Sequence, residues 1–391
     1  MKSKVKILVA LNSFKECADS TEISTLLKAS FNKYIPDDLK NALDITYKPV
    51  SDGGDGFLEV CKYHFGLETL HFEILKPYED EKFFCPAAFS PDTKTLYVES
   101  ADVLGLKTVP LEYRHPLSLS SKGIGDLLLQ IMDGVYTGFL DVENVVIGIG
   151  GTAVNDLGLG MMEMFGLELY NESDNQLEVI PKNFADVEKI VVPEVNLPFN
   201  LEIVSDVENP LIGKDGAAKI FAKQKGAVDD EIELLEKGFV NMLKQLEIDD
   251  DTIKQLNGAG GGLSAGLKLF FNANNKFAKQ FITQSLSVNS STDAYDLVVT
   301  GEGKFDAQTF YNKGAMIVYN EFAEKNIPLF FICGISDGDL PENDNLHLIE
   351  LSEYFDSVEE SLKNVDKGIE LASKKICKEI IKLITKKETK V

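Results

Sequence analysis

Along this chain, short apolar runs repeatedly end in turns built of glycines and carboxylates. Val5 to Leu11 runs into NSFKE, Ile45 to Val50 into SDGGDG, the apolar residues before Gly148 into GIGGTAVNDLG, Leu201 to Val204 into SDVENPLIGKDGA, and Leu297 to Thr300 into GEGKFDAQT. A sixth such stretch, GAGGGLSAGL from Gly258 to Leu267, opens a helix. This arrangement restricts the fold class sharply. A strand that is apolar on both faces must be covered on both, and a strand, a turn and a helix in that order form the βα unit of a parallel sheet. In open α/β sheets ligands bind beyond the carboxyl ends of the strands, which is where these turns fall.

The βα pattern is clearest at the two ends of the chain. Thr21 to Phe31 reads as a crossover helix after the first strand, and FLEVCKYHF as another after SDGGDG. After GEGKFD a helix is predicted through about Ala323, then a strand over Pro328 to Cys333. The middle differs. From about Leu67 to Val98 the stretches TLHFEI and KTLYVES alternate with period two, which predicts antiparallel or mixed pairing. Helices are expected near Gly125 to Met132, Gly216 to Lys223 and Asp230 to Leu246.

The fold expected is α/β with two domains, and 391 residues at 44% hydrophobic are enough for two cores. Residues 1–67 and 290–391 form a Rossmann-like (flavodoxin-like) parallel-sheet domain, and residues 68–289 an inserted mixed α/β domain. A continuous two-domain split fits the pattern nearly as well. The tail KKICKEIIKLITKKETK reads as an amphipathic helix with lysines toward its C-terminus.

Charge narrows the partners. Lys and Arg total 39 against 63 Asp and Glu, a formal charge of -24. That excludes the basic footprint needed for nucleic acid or an anionic membrane. Five well-separated cysteines, with no CxxC spacing, argue for buried thiols and against a disulfide framework or zinc cluster. The apolar run after the basic N-terminus stops at Asn12, too short for a signal peptide, and no apolar stretch approaches the roughly 18 residues of a membrane span. A cytoplasmic location is expected, with homo-oligomerisation left open.

An acidic protein can still bind phosphate through backbone. Successive glycine N–H groups at a helix start form an anion nest, and neighbouring carboxylates reach the phosphate through Mg²⁺. Asp52, Asp55, Asp156, Asp206, Glu302 and Asp306 are the available carboxylates. Any one of them also suits a simple Asx turn, although Asp206 directly follows an apolar strand. Phosphoryl transfer needs positioned phosphates, a metal, a proton acceptor and a cation. Lys15, just past the first strand, is placed to be that cation. Arg114 in EYRHPLSLSS suits a carboxylate clamp, because a guanidinium pairs bidentately. His115 reads as structural. A dinucleotide site is the rival reading, since GIGGTA matches G-x-G-x-x-G/A and Glu168 lies at a suitable distance for a ribose. It leaves SDGGDG, DVENPL and TGEGKFD unexplained. No Walker A motif occurs.

Taken in order along nearly the whole chain, these turns resemble the bacterial-type glycerate kinase family. Its DSFK turn is similar to NSFK here, its ADGGEG to SDGGDG, and its R-N-P and G-x-G segment to RHPLSLSSKGIG. Its GIGGSATNDGGAGM is similar to GIGGTAVNDLGLGM, its DVxNPLxGxxGA to DVENPLIGKDGA followed by QKGA, and its TGEGxxDxQT to TGEGKFDAQT. The resemblance implies ATP- and Mg²⁺-dependent phosphorylation of D-glycerate, with the 2-hydroxyl as expected acceptor, in a cleft between a Rossmann-like domain and an inserted one. On that reading Lys15, Asp206 and Asp306 are catalytic, with Asp206 and Asp306 as metal ligands. Ser13, Asp52 and Arg114 bind the acceptor. Gly148, Gly150, Gly151, Asn155, Asp156, Gly258, Gly260, Gly261, Gly301 and Glu302 bind nucleotide or phosphate. Spacing does not distinguish which carboxylate is the base. Asn12 stands where the family usually has Asp, Leu157 where it has Gly, Val154 for Thr, His115 for Asn, and Lys122 for an aromatic or other residue. Those departures keep open a related small hydroxy acid as acceptor and a non-catalytic ligand sensor, and the GIGGTA match leaves an NAD-binding oxidoreductase as a lesser alternative.

Overall fold

The computed structural model describes residues 4–14, 17–289, 295–306, 313–337 and 343–389. The chain divides into two compact units, residues 1–65 with 277–391, and residues 66–276. Residues 277–289 belong to the first unit, where the Phe57 and Phe281 ring centroids lie 5.3 Å apart.

In the first unit, five parallel strands lie in the order Leu346–Glu350, Leu329–Asp337, Leu297–Asp306, Val5–Leu11, Leu43–Tyr47. Numbered along the chain from the opposite edge this is 2-1-3-4-5, the flavodoxin order, whose switch point lies between the first and third strands. Here those strands are Val5–Leu11 and Leu297–Asp306, in register with Leu11 opposite Gly301. Six of the seven residues of Val5–Leu11 are buried, as a central strand covered by helices requires. The crossover helix Ser20–Tyr34 starts at a capping box in which Asp19 accepts from the Thr21 and Glu22 amides. The tail forms the helix Val365–Thr389, whose Ile369, Ala372, Ile376, Ile380 and Ile384 are buried in this unit's core.

One expectation needs correction. GEGKFD is not a turn after a strand ending at Thr300. The strand continues to Asp306, paired with Leu329–Asp337 as far as Asp306 opposite Asp337. Glycine inside a strand also marks close approach of another backbone. A Cβ at Gly301 would lie 2.0 Å from the Ile332 carbonyl oxygen.

The second unit holds a six-stranded sheet in the order Asn274–Phe277, Asn200–Ser205, Asn144–Gly148, Thr95–Glu99, Lys82–Ser90, Glu68–Leu75. Asn200–Ser205, Asn144–Gly148 and Thr95–Glu99 are parallel to one another, and the last two strands of the order continue antiparallel. This is the mixed pairing that the period-two stretches predict. The helix Lys122–Tyr136 lies against the edge strand, where Asp126 accepts from the Leu75 amide at 3.0 Å. Glu168–Tyr170 belongs to a separate three-stranded antiparallel sheet with Gln176–Leu177 and Lys189–Val191. Cys61, Cys85, Cys333 and Cys377 are buried and Cys17 is half-buried, all as free thiols. Among the described residues no helix is long and apolar enough to cross a membrane.

Candidate active site

At the switch point of the first unit, the chain leaves Val5–Leu11 through Asn12 and Ser13, both buried. The Asn12 amide N–H donates to the Gly301 carbonyl at 2.9 Å, which holds the turn to the neighbouring strand. Its side chain is also fixed. Oδ1 accepts from the Ser13 amide at 2.9 Å, and Nδ2 donates to Asp52 Oδ2 at 3.1 Å. Asp52 Oδ1 accepts from the Gly54 amide at 3.2 Å, the Asx turn that its setting in SDGGDG suggests. The helix Gly314–Phe322 begins against this pair, and a Cβ at Gly314 would lie 2.9 Å from Asn12 Nδ2. Glu302 is buried in its strand, and Asp306 lies 3.0 Å from Lys304 Nζ. Lys15 lies outside the described residues.

The Asn12–Asp52 pair makes one substitution informative. Asn12→Asp keeps the shape and the Ser13 bond but replaces a donor by a second carboxylate 3.1 Å from the first. Two such carboxylates cannot both ionise freely, so one acquires a raised pKa in the folded state. A group of that kind loses its contribution as pH rises through the raised value. Asn12→Asp is expected to cost about 2 kcal/mol at pH 7, and the deficit should close near pH 4, where carboxylates protonate. Urea unfolding at the two pH values checks this, and an equal deficit at both would refute it.

In the second unit, the ends of three parallel strands are level, with Glu99 and Val204 each opposite Gly148. Asp206 follows Ser205 at this edge and is half-buried. Ser205 Oγ accepts from the Val207 amide at 3.1 Å, and the Ile149 amide donates to the Val204 carbonyl at 2.8 Å. The turn beginning at Gly148 is gripped from several directions. The Gly150 amide donates to Ser100 Oγ at 3.2 Å, Leu106 N–H to the Gly151 carbonyl at 3.0 Å, and Ala153 N–H to the Leu104 carbonyl at 2.7 Å. Leu157 takes a left-handed φ of 58°, where glycine is the usual residue, with its side chain in the core.

The glycines of GAGGGL answer to this turn. Gly260, Gly261 and Gly262 have φ of 66°, 69° and 87°, and a Cβ at Gly261 would lie 2.0 Å from the Val154 carbonyl oxygen and 2.9 Å from Asn155 Oδ1. The two glycine-rich turns meet backbone against backbone. Gly258 is held from the DVENPL segment, its amide donating to the Asn209 carbonyl at 2.9 Å.

Asp156 lies wholly inside the turn. It accepts from the amides of Ser121 at 2.6 Å, Gly158 at 3.1 Å and Gly160 at 3.2 Å, and is fully buried. Burial pushes its carboxyl pKa up, against the pull of these donors and the Ser121 hydroxyl. Arg114 uses its fork on backbone, Nε on the Val109 carbonyl at 2.9 Å and Nη2 on the Leu106 carbonyl at 2.5 Å, so it braces the segment that pairs with Gly151. His115 is exposed, 3.1 Å from Glu231.

Sequence reasoning missed two cations here. Lys107 Nζ lies 2.9 Å from Glu99 and 2.8 Å from Asp102. Lys225, in QKGA, is 4% exposed, and its Nζ donates to the Val154 carbonyl at 2.7 Å and approaches Thr152 Oγ1 at 3.4 Å. The signal available was the strand-end position for Glu99. For Lys225 it was only the motif, because lysine is almost never fully buried. Burial lowers the Lys225 pKa from 10.5 to about 7, against the pull of Asp156. Between those values the unfolded chain holds a proton that the folded chain lacks, so stability rises with pH there. From pH 7 to 9, wild type is expected to gain about 2 kcal/mol relative to Lys225→Met. Parallel stability curves for the two proteins would refute the buried titration.

The geometry disfavours a dinucleotide turn. After GIGGTA no helix starts until Leu159–Glu163, and Glu168 sits in the small sheet, accepting from the Tyr170 hydroxyl at 2.6 Å. Among the described residues both polar atoms of the fully buried Asn155 amide lack a hydrogen-bond partner, and Gly261 packs directly against this residue, where a Cβ would clash. Among the described residues no three His, Cys, Asp or Glu side chains converge as a metal cage.

Comparison with known proteins agrees with this picture. The glycerate kinase family model matches residues 7–381. A glycerate 2-kinase of Escherichia coli K12 is 30% identical over 96% of this chain and 96% of its own length. A glycerate kinase of Haemophilus influenzae is 31% identical over 84% of this chain and 86% of its own. A crystal structure from Salmonella typhimurium LT2, assigned as a glycerate kinase 2, superposes with a TM-score of 0.74 at 27% identity, covering 97% of this chain and 98% of that one. The chain belongs to the glycerate kinase family and is a phosphotransferase with an alcohol group as acceptor.

Proposed function

We propose that the protein phosphorylates D-glycerate at its 2-hydroxyl, using ATP and Mg²⁺ in the cytoplasm. The observation that carries this reading is the second unit's strand edge, where the glycine-rich turn with the orphaned Asn155 amide follows Asn144–Gly148, the strand paired with the one that ends just before Asp206. ATP with Mg²⁺, when bound, supplies the phosphoryl group and neutralises charge on it. Gly148, Gly150, Gly151, Asn155, Gly258, Gly260 and Gly261 cradle phosphate, and Asp156 keeps that turn in shape. Asp206 and Asp306 are proposed as metal ligands, and one of them as acceptor of the hydroxyl proton. Lys15 is proposed to stabilise charge on the transferring group. Ser13, Asp52 and Arg114 are proposed to hold the acceptor, with Gly301 and Glu302 toward nucleotide. The 2-position follows the E. coli relative's name. A related small hydroxy acid is the second reading, favoured by Asn12, whose amide occupies Asp52 Oδ2.

The test is ADP formation by the purified protein with ATP and Mg²⁺, with and without D-glycerate, followed by NMR of the product. D-glycerate-dependent ADP with phosphate on the 2-hydroxyl is the expected result. ADP formation that D-glycerate does not stimulate would overturn the assignment, and stimulation by another hydroxy acid would select the second reading.

A further inference from the structure

Lys225 and Asn155 are the two polar side chains that the glycine-rich turn leaves incompletely explained. Burying an ammonium costs several kcal/mol, and a neutral donor would satisfy the Val154 carbonyl equally well. With its pKa lowered to about 7 the group sits between amine and ammonium, so lysine rather than a simple neutral donor calls for a reason beyond that bond. Its position supplies one. Lys225 Nζ binds residues 152 and 154 of the turn, and residue 155 carries the unpartnered amide. Gly261 also approaches the Val154 carbonyl so closely that a Cβ would sit 2.0 Å from the oxygen. The Thr152–Asn155 backbone is thus held by both the buried Lys225 and the second glycine turn. The attachment is rigid at its base, since Gly226 has φ of 104° and a Cβ there would lie 2.9 Å from the Arg114 carbonyl oxygen.

We infer that Lys225 is a positioning residue for the phosphate cradle: its side chain fixes the Thr152–Asn155 backbone and, when protonated, adds positive potential to it, setting the affinity of the turn for a phosphoryl anion. This rests on the function proposed above, and it concerns a residue that contacts the turn without being placed against the reacting atoms.

Two substitutions separate its parts. Lys225→Met removes bond and charge, while Lys225→Gln keeps a donor and removes only the charge. Hydrogen exchange of the ligand-free protein reads the first part, and steady-state kinetics with ATP and D-glycerate the second. In Lys225→Met, amide exchange across residues 150–157 is expected to rise about tenfold, as loss of one charge-assisted hydrogen bond implies. KM for ATP is expected to rise about tenfold, with kcat and KM for D-glycerate changing less than about threefold. Lys225→Gln should keep the exchange protection and lose the ATP affinity, and Lys225→Arg should recover part of that affinity. Unchanged exchange and an unchanged KM for ATP in a folded variant would overturn the inference, as would equal loss in kcat and both KM values. If Lys225→Met does not fold, the Gln and Arg variants decide through the same KM comparison. Wild type without D-glycerate-dependent ADP formation would fail the proposed function, while the exchange measurement on ligand-free protein would still support or refute the clamp.

Discussion

Asp206→Asn is expected to lower kcat for D-glycerate phosphorylation about a thousandfold while leaving the urea midpoint unchanged, the scale expected when a charge is removed from a phosphoryl-transfer site. The argument begins with position. Asp206 leaves a parallel strand whose Val204 is level with Gly148, and the Ile149 and Val207 amides hold the backbone on either side of it. The substitution is isosteric and spares both of those bonds. Loss of the negative charge removes what a metal ligand or proton acceptor requires. Steady-state ADP release and urea unfolding, measured on the same preparation, check the two halves. Wild-type turnover in the variant would remove Asp206 from the chemistry, and a large loss of stability would recast it as structural.

What was legible in the sequence was mostly local. Val5–Leu11 reads as a buried parallel strand because its residues are apolar without alternation, and Thr69 to Ile74 reads as one-sided because they alternate. The glycines were read as turn signals, which holds at Gly151 and Gly260 but not at Gly301, where absence of a Cβ admits the Ile332 carbonyl from a neighbouring strand. A sequence shows that glycine is present without showing what presses against it.

The site was less legible, for the same reason. Asn12 and Asp52 were noted separately, yet their meeting across 40 residues makes one a donor to the other. Asp156 stands in sequence among the carboxylates available to a metal-bound phosphate, whereas the Ser121 amide that helps to bury it lies 35 residues earlier. Arg114 was read for its fork, which the structure spends on two backbone carbonyls. Lys225 carries only its place in QKGA as a signal, since its burial is set by how that segment packs on the glycine turn.

Asp156→Ala is expected to destabilise the protein by about 4 to 6 kcal/mol, because it orphans several buried donors at once, each costing about 1 to 3 kcal/mol. The carboxylate has no accessible surface, and water cannot readily take over the Ser121, Gly158 and Gly160 amides. Relaxation by closing the turn is also obstructed. A Cβ at Gly160 would already lie 2.0 Å from Ser120 Oγ, so these backbones have little room to approach one another further. Removing the carboxylate takes a neighbouring charge from Lys225 as well, which lowers the lysine pKa further and loosens the clamp on Val154. Asp156→Asn keeps one acceptor oxygen but turns an NH₂ toward amides that need acceptors, so its loss should be intermediate. Urea midpoints for the two variants should therefore fall in the order wild type, Asn, Ala, with hydrogen exchange rising first over residues 120–123 and 156–161. A midpoint for Asp156→Ala close to wild type would mean that the enclosed carboxylate does not hold the turn, and would return Asp156 to the residues that wait for a ligand.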